Sequence, residues 1–216
     1  MLVHTSPAYR RDLGDGLWVR SVADAQDVER LAAFTGTVHN AGVGDMTRQL
    51  ILHHPHTRPE HWLFCEDETT DQIVSTLCLI PWTMRYEQVP LKAGEMGIVA
   101  THPEYRRRGL IRALAARHEE LLHVGGYALS HIQGIPYFYR QFGFEYAMPL
   151  EGGWRVELHA IPDAPACAAR RSFRQATVDD LPVLARMYDT AAGDLAIHAV
   201  RSADEWRYLL GPSTRT

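Results

Sequence analysis

The residues of this chain best suited to chemistry lie between Glu95 and Gly143. At their centre stands Thr101-His102-Pro103-Glu104-Tyr105-Arg106-Arg107-Arg108-Gly109-Leu110-Ile111, where three arginines and a glycine separate a strand-like run from a helix-like one. A helix begun there leaves its first backbone N–H groups unpaired and carries partial positive charge at that end. Successive N–H groups of such a turn, helped by arginines, cradle a pyrophosphate, and Gly109 lets the backbone come close to it. The spacing is not the GxxxxGK[ST] phosphate loop. Taken alone, a triple arginine is equally well a solvated helix end. Here Pro136-Tyr137-Phe138-Tyr139-Arg140-Gln141-Phe142-Gly143-Phe144 follows, with two tyrosines ahead of a glycine. A phenol with a pKa of about 10 keeps its proton at neutral pH and can deliver it to a leaving group. Glu95 precedes the turn and offers a carboxylate to deprotonate an ammonium, directly or through water; the plainer reading is a residue on an exposed strand face.

Other candidates carry less. His53, His54, His56 and His61 surround Pro55 and Pro59, with no cysteine or acid at ligand spacing, so this stretch is read as bordering an acceptor pocket and no metal is expected. Trp18, Trp62, Trp82 and Trp154 read as core or pocket lining. Cys65 and Cys78 lie inside apolar strands and no GxSxG elbow is present, which argues against a nucleophilic enzyme. With Cys167 the cysteines are odd in number and form no CxxC pair, so neither a disulfide framework nor a zinc site is expected.

Positioning these residues takes a mixed set of elements. Gly16 to Val22 reads as a strand, and Asp24 opens a helix closed by Gly36. Thr37 to Gly44 reads as loop and Met46 to Leu52 as a short helix. Strands are expected at His61 to Cys65, Ile73 to Tyr86 and from about Gln88 to Thr101. The period then changes: Leu110, Ile111, Leu114, Leu121 and Leu122 form an apolar stripe, with Arg112, Arg117, His118 and Glu119 on the polar remainder and Gly125 as the stop. A strand at Tyr127 to Ile132, a short helix from Pro136 to Phe142, and two strands at Phe144 to Met148 and Trp154 to His159 complete the pattern.

Residues 161–170 read as an Ala- and Pro-rich linker. Beyond it, Phe173-Arg174-Gln175-Ala176-Thr177-Val178-Asp179-Asp180-Leu181 echoes Val19-Arg20-Ser21-Val22-Ala23-Asp24-Ala25-Gln26-Asp27-Val28. The expected organisation is one domain over 1–160, the linker, and the incomplete start of a second, similar domain over 171–216, as in a piece of a longer protein or a domain with a truncated appendage. The 216 residues, 46% hydrophobic and 22% charged, suit a globular protein. A net charge of −4 argues against nucleic acid as the partner, and no apolar run is long enough to span a membrane. A cytoplasmic, reduced protein is expected, one that leaves room for an oligomer.

The stretch around Arg106 resembles the GNAT acetyltransferases, whose Q/R-x-x-G-x-G/A motif after the fourth strand binds the pyrophosphate of coenzyme A. Arg106, Gly109 and Ile111 hold those positions, with Ile111 departing from Gly or Ala. The spelling Arg-Arg-Arg-Gly-Leu looks like the enhanced-intracellular-survival branch, whose members carry a second, degenerate GNAT domain. The resemblance implies a GNAT fold: a mixed, mostly antiparallel α/β (α+β) sheet of about six or seven strands, flanked by helices, with splayed fourth and fifth strands.

It further implies N-acetyl transfer from acetyl-CoA, as co-substrate, to the primary amine of a small molecule or peptide, by direct transfer in a ternary complex. Arg106, Arg107, Arg108, Gly109, Leu110, Ile111 and Arg112 would hold the pyrophosphate, and the backbone of Val99, Ala100 and Thr101 the pantetheine. Tyr139 matches the family's general acid in the [F/I]Y-x-x-x-G-[F/Y] helix, with Tyr137 the alternative. Glu95 matches the glutamate of the histone acetyltransferase branch, whereas in the survival branch a terminal carboxylate is the base. The rival reading is a non-catalytic acyl-CoA-binding or regulatory module.

Overall fold

The computed structural model describes residues 8–148, 156–161 and 174–214. Residues up to Ile132 together with those from Thr177 form one compact unit, and Gln133–Ala176 a second.

In the first unit, Arg10–Gly14 (β1), Leu17–Ser21 (β2), Trp62–Asp67 (β3), Gln72–Tyr86 (β4), Val89–Thr101 (β5) and Leu129–His131 (β6) run in that order across one sheet. The pairings from β1 to β5 are antiparallel and β5–β6 is parallel. A seventh strand, Ile197–Ala199 (β7), pairs antiparallel with the outer half of β4. The fold is therefore the expected one, a mixed, mostly antiparallel sheet flanked by helices. Every residue of β3 is buried, which places it in the middle of the core.

One face is covered by Ala25–Val38 (α1) and Ala41–His53 (α2), which bury Val28, Leu31, Leu50 and Ile51 against Trp62, Phe64, Cys78 and Ile80. Asp24 starts α1 by accepting from the Asp27 amide at 2.9 Å, and Asn40 starts α2 by accepting from Val43 at 3.1 Å. The helix expected to stop at Gly36 continues to Val38, and the expected loop over 37–44 shrinks to a two-residue break. Close packing explains the difference: a Cβ on Gly44 would lie 2.7 Å from the Ala32 carbonyl oxygen and 3.1 Å from Gly36 Cα. These glycines let two helices cross in contact, and the Thr35 and Thr47 hydroxyls bond at 3.0 Å beside them.

The other face is covered by Leu110–Val124 (α3), packed on β3, β4 and β5. It buries Leu110, Leu114, Ala115 and His118. His118, expected on the polar side, stands one helical repeat past Leu114 and is only 1% exposed.

Residues from Thr177 belong to this unit. Gln175 to Thr177 form no strand, and Thr177 and Asp180 make a capping box ahead of Leu181–Ala192 (α4). After β7, Ala203–Leu210 (α5) brings Tyr208 into the α1–α2 core, where its ring meets His54 edge-on at 5.2 Å. Residues 162–170 of the expected linker, Arg171, Cys167 and Trp154 lie outside the described residues.

In the second unit, Phe138–Phe142 forms a 3-10 turn closed by Gly143 with φ +86°. The strand expected over Phe144 to Met148 is not formed: the Phe144 amide turns back to the Tyr139 carbonyl at 3.4 Å instead of meeting a neighbouring strand. Of the strand expected over Trp154 to His159, the first two residues lie outside the described ones and Leu158–Ala160 is a short 3-10 turn.

Candidate functional site

The site candidates of the first unit gather on the C-terminal half of β5 and the turn that follows it. β5 and β6 pair at Ala93–Leu129, Gly94–Ser130 and Glu95–His131, and no further. From Met96 to Thr101, β5 keeps β4 on one side and has no strand on the other among the described residues. This parting is the splay between the fourth and fifth strands of the sequence pattern, one number higher here because β1 precedes them.

Within the parted stretch β5 bulges. Thr76 faces Ala100 and Cys78 faces Gly97, so Leu77 alone faces both Ile98 and Val99. Ile98 takes φ +50°, a conformation that costs a β-branched residue on the order of 1–3 kcal/mol. A bulge of this kind turns backbone groups out of the ladder and toward the gap. Beyond it, Ser75 Oγ bonds the Ala100 carbonyl and the Thr101 hydroxyl, both at 2.9 Å, which fixes the strand end from the β4 side.

The chain then makes a 3-10 turn, Pro103–Tyr105, and enters α3. Arg107 and Gly109 both have left-handed backbone, φ +63° and +76°. Gly109 is the residue before α3 and has no side chain to cap it, and a Cβ placed there would meet nothing within 4 Å. The helix start is thus open, ringed by the exposed residues Arg106, Arg107, Arg108 and Arg112, with Leu110 buried and Ile111 half-buried beneath. The turn is held from below: the Tyr105 hydroxyl donates to Asp67 Oδ2 at 2.6 Å, and the Arg108 guanidinium lies 4.6 Å over the Tyr105 ring. An arrangement of arginines, open N–H groups and glycine backbone suits a pyrophosphate.

At the opposite end of the parted stretch is Glu95, half-buried on the α1–α2 face. Its Oε2 accepts from Trp82 Nε1 at 2.8 Å. His131 stands across the last paired rung, its ring 6.3 Å from that of Trp82. Burial pushes the His131 imidazole below its usual range, against the opposing pull of the Glu95 carboxylate. Its Nε2 is buried and has no hydrogen-bond partner among the described residues. Sequence reasoning missed His131 and the Trp82–Glu95 bond, since register between two strands separated by a helix leaves no local mark on the sequence.

Tyr139 belongs to the second unit. Its ring lies against Gly134, where a Cβ would come within 2.3 Å of it, and edge-on to Phe138 and Phe144 at 5.0 and 6.3 Å. Burial pushes its phenol upward. Tyr137, by contrast, is 76% exposed, and its amide donates to the Tyr146 hydroxyl.

The histidine-rich stretch goes elsewhere. His56, Arg58, Glu60 and His61 line a cavity of about 670 Å³ with Lys92 and Tyr127, where β5 begins and α3 ends, the end away from Gly109. Among the described residues no three His, Cys, Asp or Glu side chains cluster as metal ligands.

The sequence pattern of a family described as acetyltransferase (GNAT) domain matches residues 21–147. Among solved structures, a probable N-acyltransferase from Enterococcus faecalis V583 aligns with a TM-score of 0.50 at 22% identity, over 59% of this chain and 32% of that one. N-myristoyltransferase of Saccharomyces cerevisiae with bound myristoyl-CoA aligns with a TM-score of 0.66 at 12% identity, over 95% of this chain and 52% of that one. A second structure of that enzyme, with myristoyl-CoA and inhibitors, gives 0.62 at 11%, over 95% and 53%. At these identities the likeness is one of fold, and this chain spans about a third of the first protein and about half of the second. No curated protein matches the chain.

Proposed function

The chain belongs to the GNAT acetyltransferase domain family, and from that premise we propose that it is an acetyl-CoA-dependent N-acetyltransferase acting on a primary amine by direct transfer. The observation that carries this reading is the parting of β5 from β6 above Glu95, leading to the open, arginine-ringed start of α3. In this reading Arg106, Arg107, Arg108 and Arg112, with the backbone of Gly109 to Ile111, hold the pyrophosphate. The pantetheine runs along the backbone of Val99, Ala100 and Thr101. The bulged backbone near Val99 polarises the thioester carbonyl, in the manner of an oxyanion hole. Glu95 accepts the proton that the acceptor ammonium must lose, and Tyr139 protonates the departing sulfur.

Three lines support the assignment: the family match across both the parted strands and the basic turn, the open backbone at Gly109, and the Tyr139 register in the [F/I]Y-x-x-x-G-[F/Y] motif. The acceptor is proposed as a small-molecule or peptide amine.

The test joins binding to turnover. Calorimetry with acetyl-CoA should show binding that Gly109→Glu abolishes, because a carboxylate would stand where the anion sits. A screen of amines, following free thiol release, should then reveal turnover. The screen includes myristoyl-CoA, which the structurally similar N-myristoyltransferase binds. Unchanged affinity in Gly109→Glu would overturn the pyrophosphate site. Binding without turnover on any amine would favour the non-catalytic acyl-CoA-binding module.

A further inference from the structure

Three observations converge where β5 and β6 part. Glu95 and His131 form the last paired rung, on adjacent parallel strands. Trp82 on β4 fixes the Glu95 carboxylate by its indole N–H at 2.8 Å, and its ring stands 6.3 Å from that of His131. His131 Nε2 is buried with no hydrogen-bond partner among the described residues, and a buried polar atom ordinarily has one. With a carboxylate and an imidazole placed side by side, the carboxylate favours the imidazolium, against the burial that disfavours it.

We propose that Glu95 and His131 act as one acid–base pair that takes the proton of the acceptor ammonium, with Trp82 as the positioning residue that holds Glu95. The inference rests on the acyl-transfer reading and replaces its lone carboxylate base. The ammonium R–NH3⁺ passes one proton to His131 Nε2, giving R–NH2 and an imidazolium beside the Glu95 carboxylate. The amine nitrogen forms the new C–N bond at the thioester carbonyl, and the C–S bond breaks. The second nitrogen proton is released as the amide forms, and balances the one Tyr139 gives to sulfur. His131 returns its proton to solvent. The products are R–NH–acyl, coenzyme A thiol and one proton.

Among the described residues, the charged and titratable groups facing this pair are few. Glu95 faces His131 from β5, and burial, with the Glu95 carboxylate adding to it, pushes the Cys78 thiol on β4 upward. Trp82 from β4 does not titrate.

Two measurements test the proposal on the full chain. The first needs no substrate: the His131 ring proton signal, assigned by its loss in His131→Gln, is followed by NMR against pH. The titration midpoint should fall in Glu95→Gln, because the carboxylate that favours the imidazolium is gone. Identical midpoints in the two proteins would overturn the pairing. The second follows turnover of an amine found in the screen. His131→Gln should keep acetyl-CoA affinity while lowering kcat roughly 10²-fold, and the Glu95→Gln/His131→Gln double variant should be no slower than the slower single one. A kcat and pH profile unchanged in His131→Gln would make His131 a packing residue and overturn the proposal. If the wild-type chain binds acetyl-CoA and acylates no amine, the acyl-transfer reading fails, and the NMR titration decides the pairing by itself.

Discussion

The Tyr105 hydroxyl donates to Asp67 Oδ2 at 2.6 Å, tying the turn before α3 to the end of β3. The arginine-ringed helix start is therefore braced by a residue that sequence motifs do not include. Tyr105→Phe keeps the ring under Arg108 and removes only the tie. Acetyl-CoA affinity measured by calorimetry is expected to weaken about threefold to tenfold. An unchanged Kd would mean that the turn holds its shape without Asp67.

Tyr139 is packed against Gly134 and two phenylalanines, and burial raises its phenol, so it is protonated throughout the neutral range. Tyr139→Phe is expected to keep fold and acetyl-CoA affinity and to lower turnover by about 10² to 10⁴. Tyr137→Phe, at an exposed position, is expected to be milder. Steady-state rates for the two variants check this, and the reverse order would make Tyr137 the acid.

Burial pushes the imidazoles of His54, His61 and His118 down to about 4 in the folded chain. The unfolded chain binds these protons from about pH 6.5 downward. Between about 6.5 and 4 the unfolded state therefore holds more protons than the native one. Stability is full above that window and falls with pH through it, by about 1.4 kcal/mol per pH unit for each fully involved group. Below about 4 the native state protonates too, and the loss stops growing. His118→Gln should make the decline shallower, as read from urea midpoints at pH 7 and pH 5. Parallel declines in both proteins would show that His118 is not among the responsible groups.

Tyr208 on α5 enters the core shared by α1, α2 and the sheet and is 7% exposed. Tyr208→Ala should destabilise the fold by about 3 kcal/mol, on the scale of buried aromatic truncations, and lower Tm by roughly 10 °C. Acetyl-CoA affinity, measured at a temperature where both proteins are folded, should be retained. A change of a degree or less would mean that α5 contributes little to this core.

The sequence carried the elements whose cause is local. The stripe from Leu110 and the stop at Gly125 placed α3, and Asp24 placed the start of α1. What it did not carry depends on partners distant in the chain. Gly36 reads as a helix stop, yet its role is to let α2 approach at Gly44. His118 reads as polar surface because its neighbours in sequence are charged, and the helix turns it inward. Ile98 gives no sign that it will take a left-handed backbone, since the bulge comes from pairing with β4. In the same way the arginine turn was legible as a contiguous motif, whereas Glu95, Trp82 and His131 meet only through sheet register.

The pairing of Met84–Tyr86 with β7 sets an order of events during synthesis. β4 and β5 can close as a hairpin as soon as both have emerged, but the other edge of the outer half of β4 stays open until Ile197–Ala199 is made. At usual translation speeds that interval is roughly 5 to 20 seconds. An open strand edge held that long is available to a second nascent copy. Arg85 and Glu87, exposed at this edge, are placed to discourage such pairing until the late strand arrives.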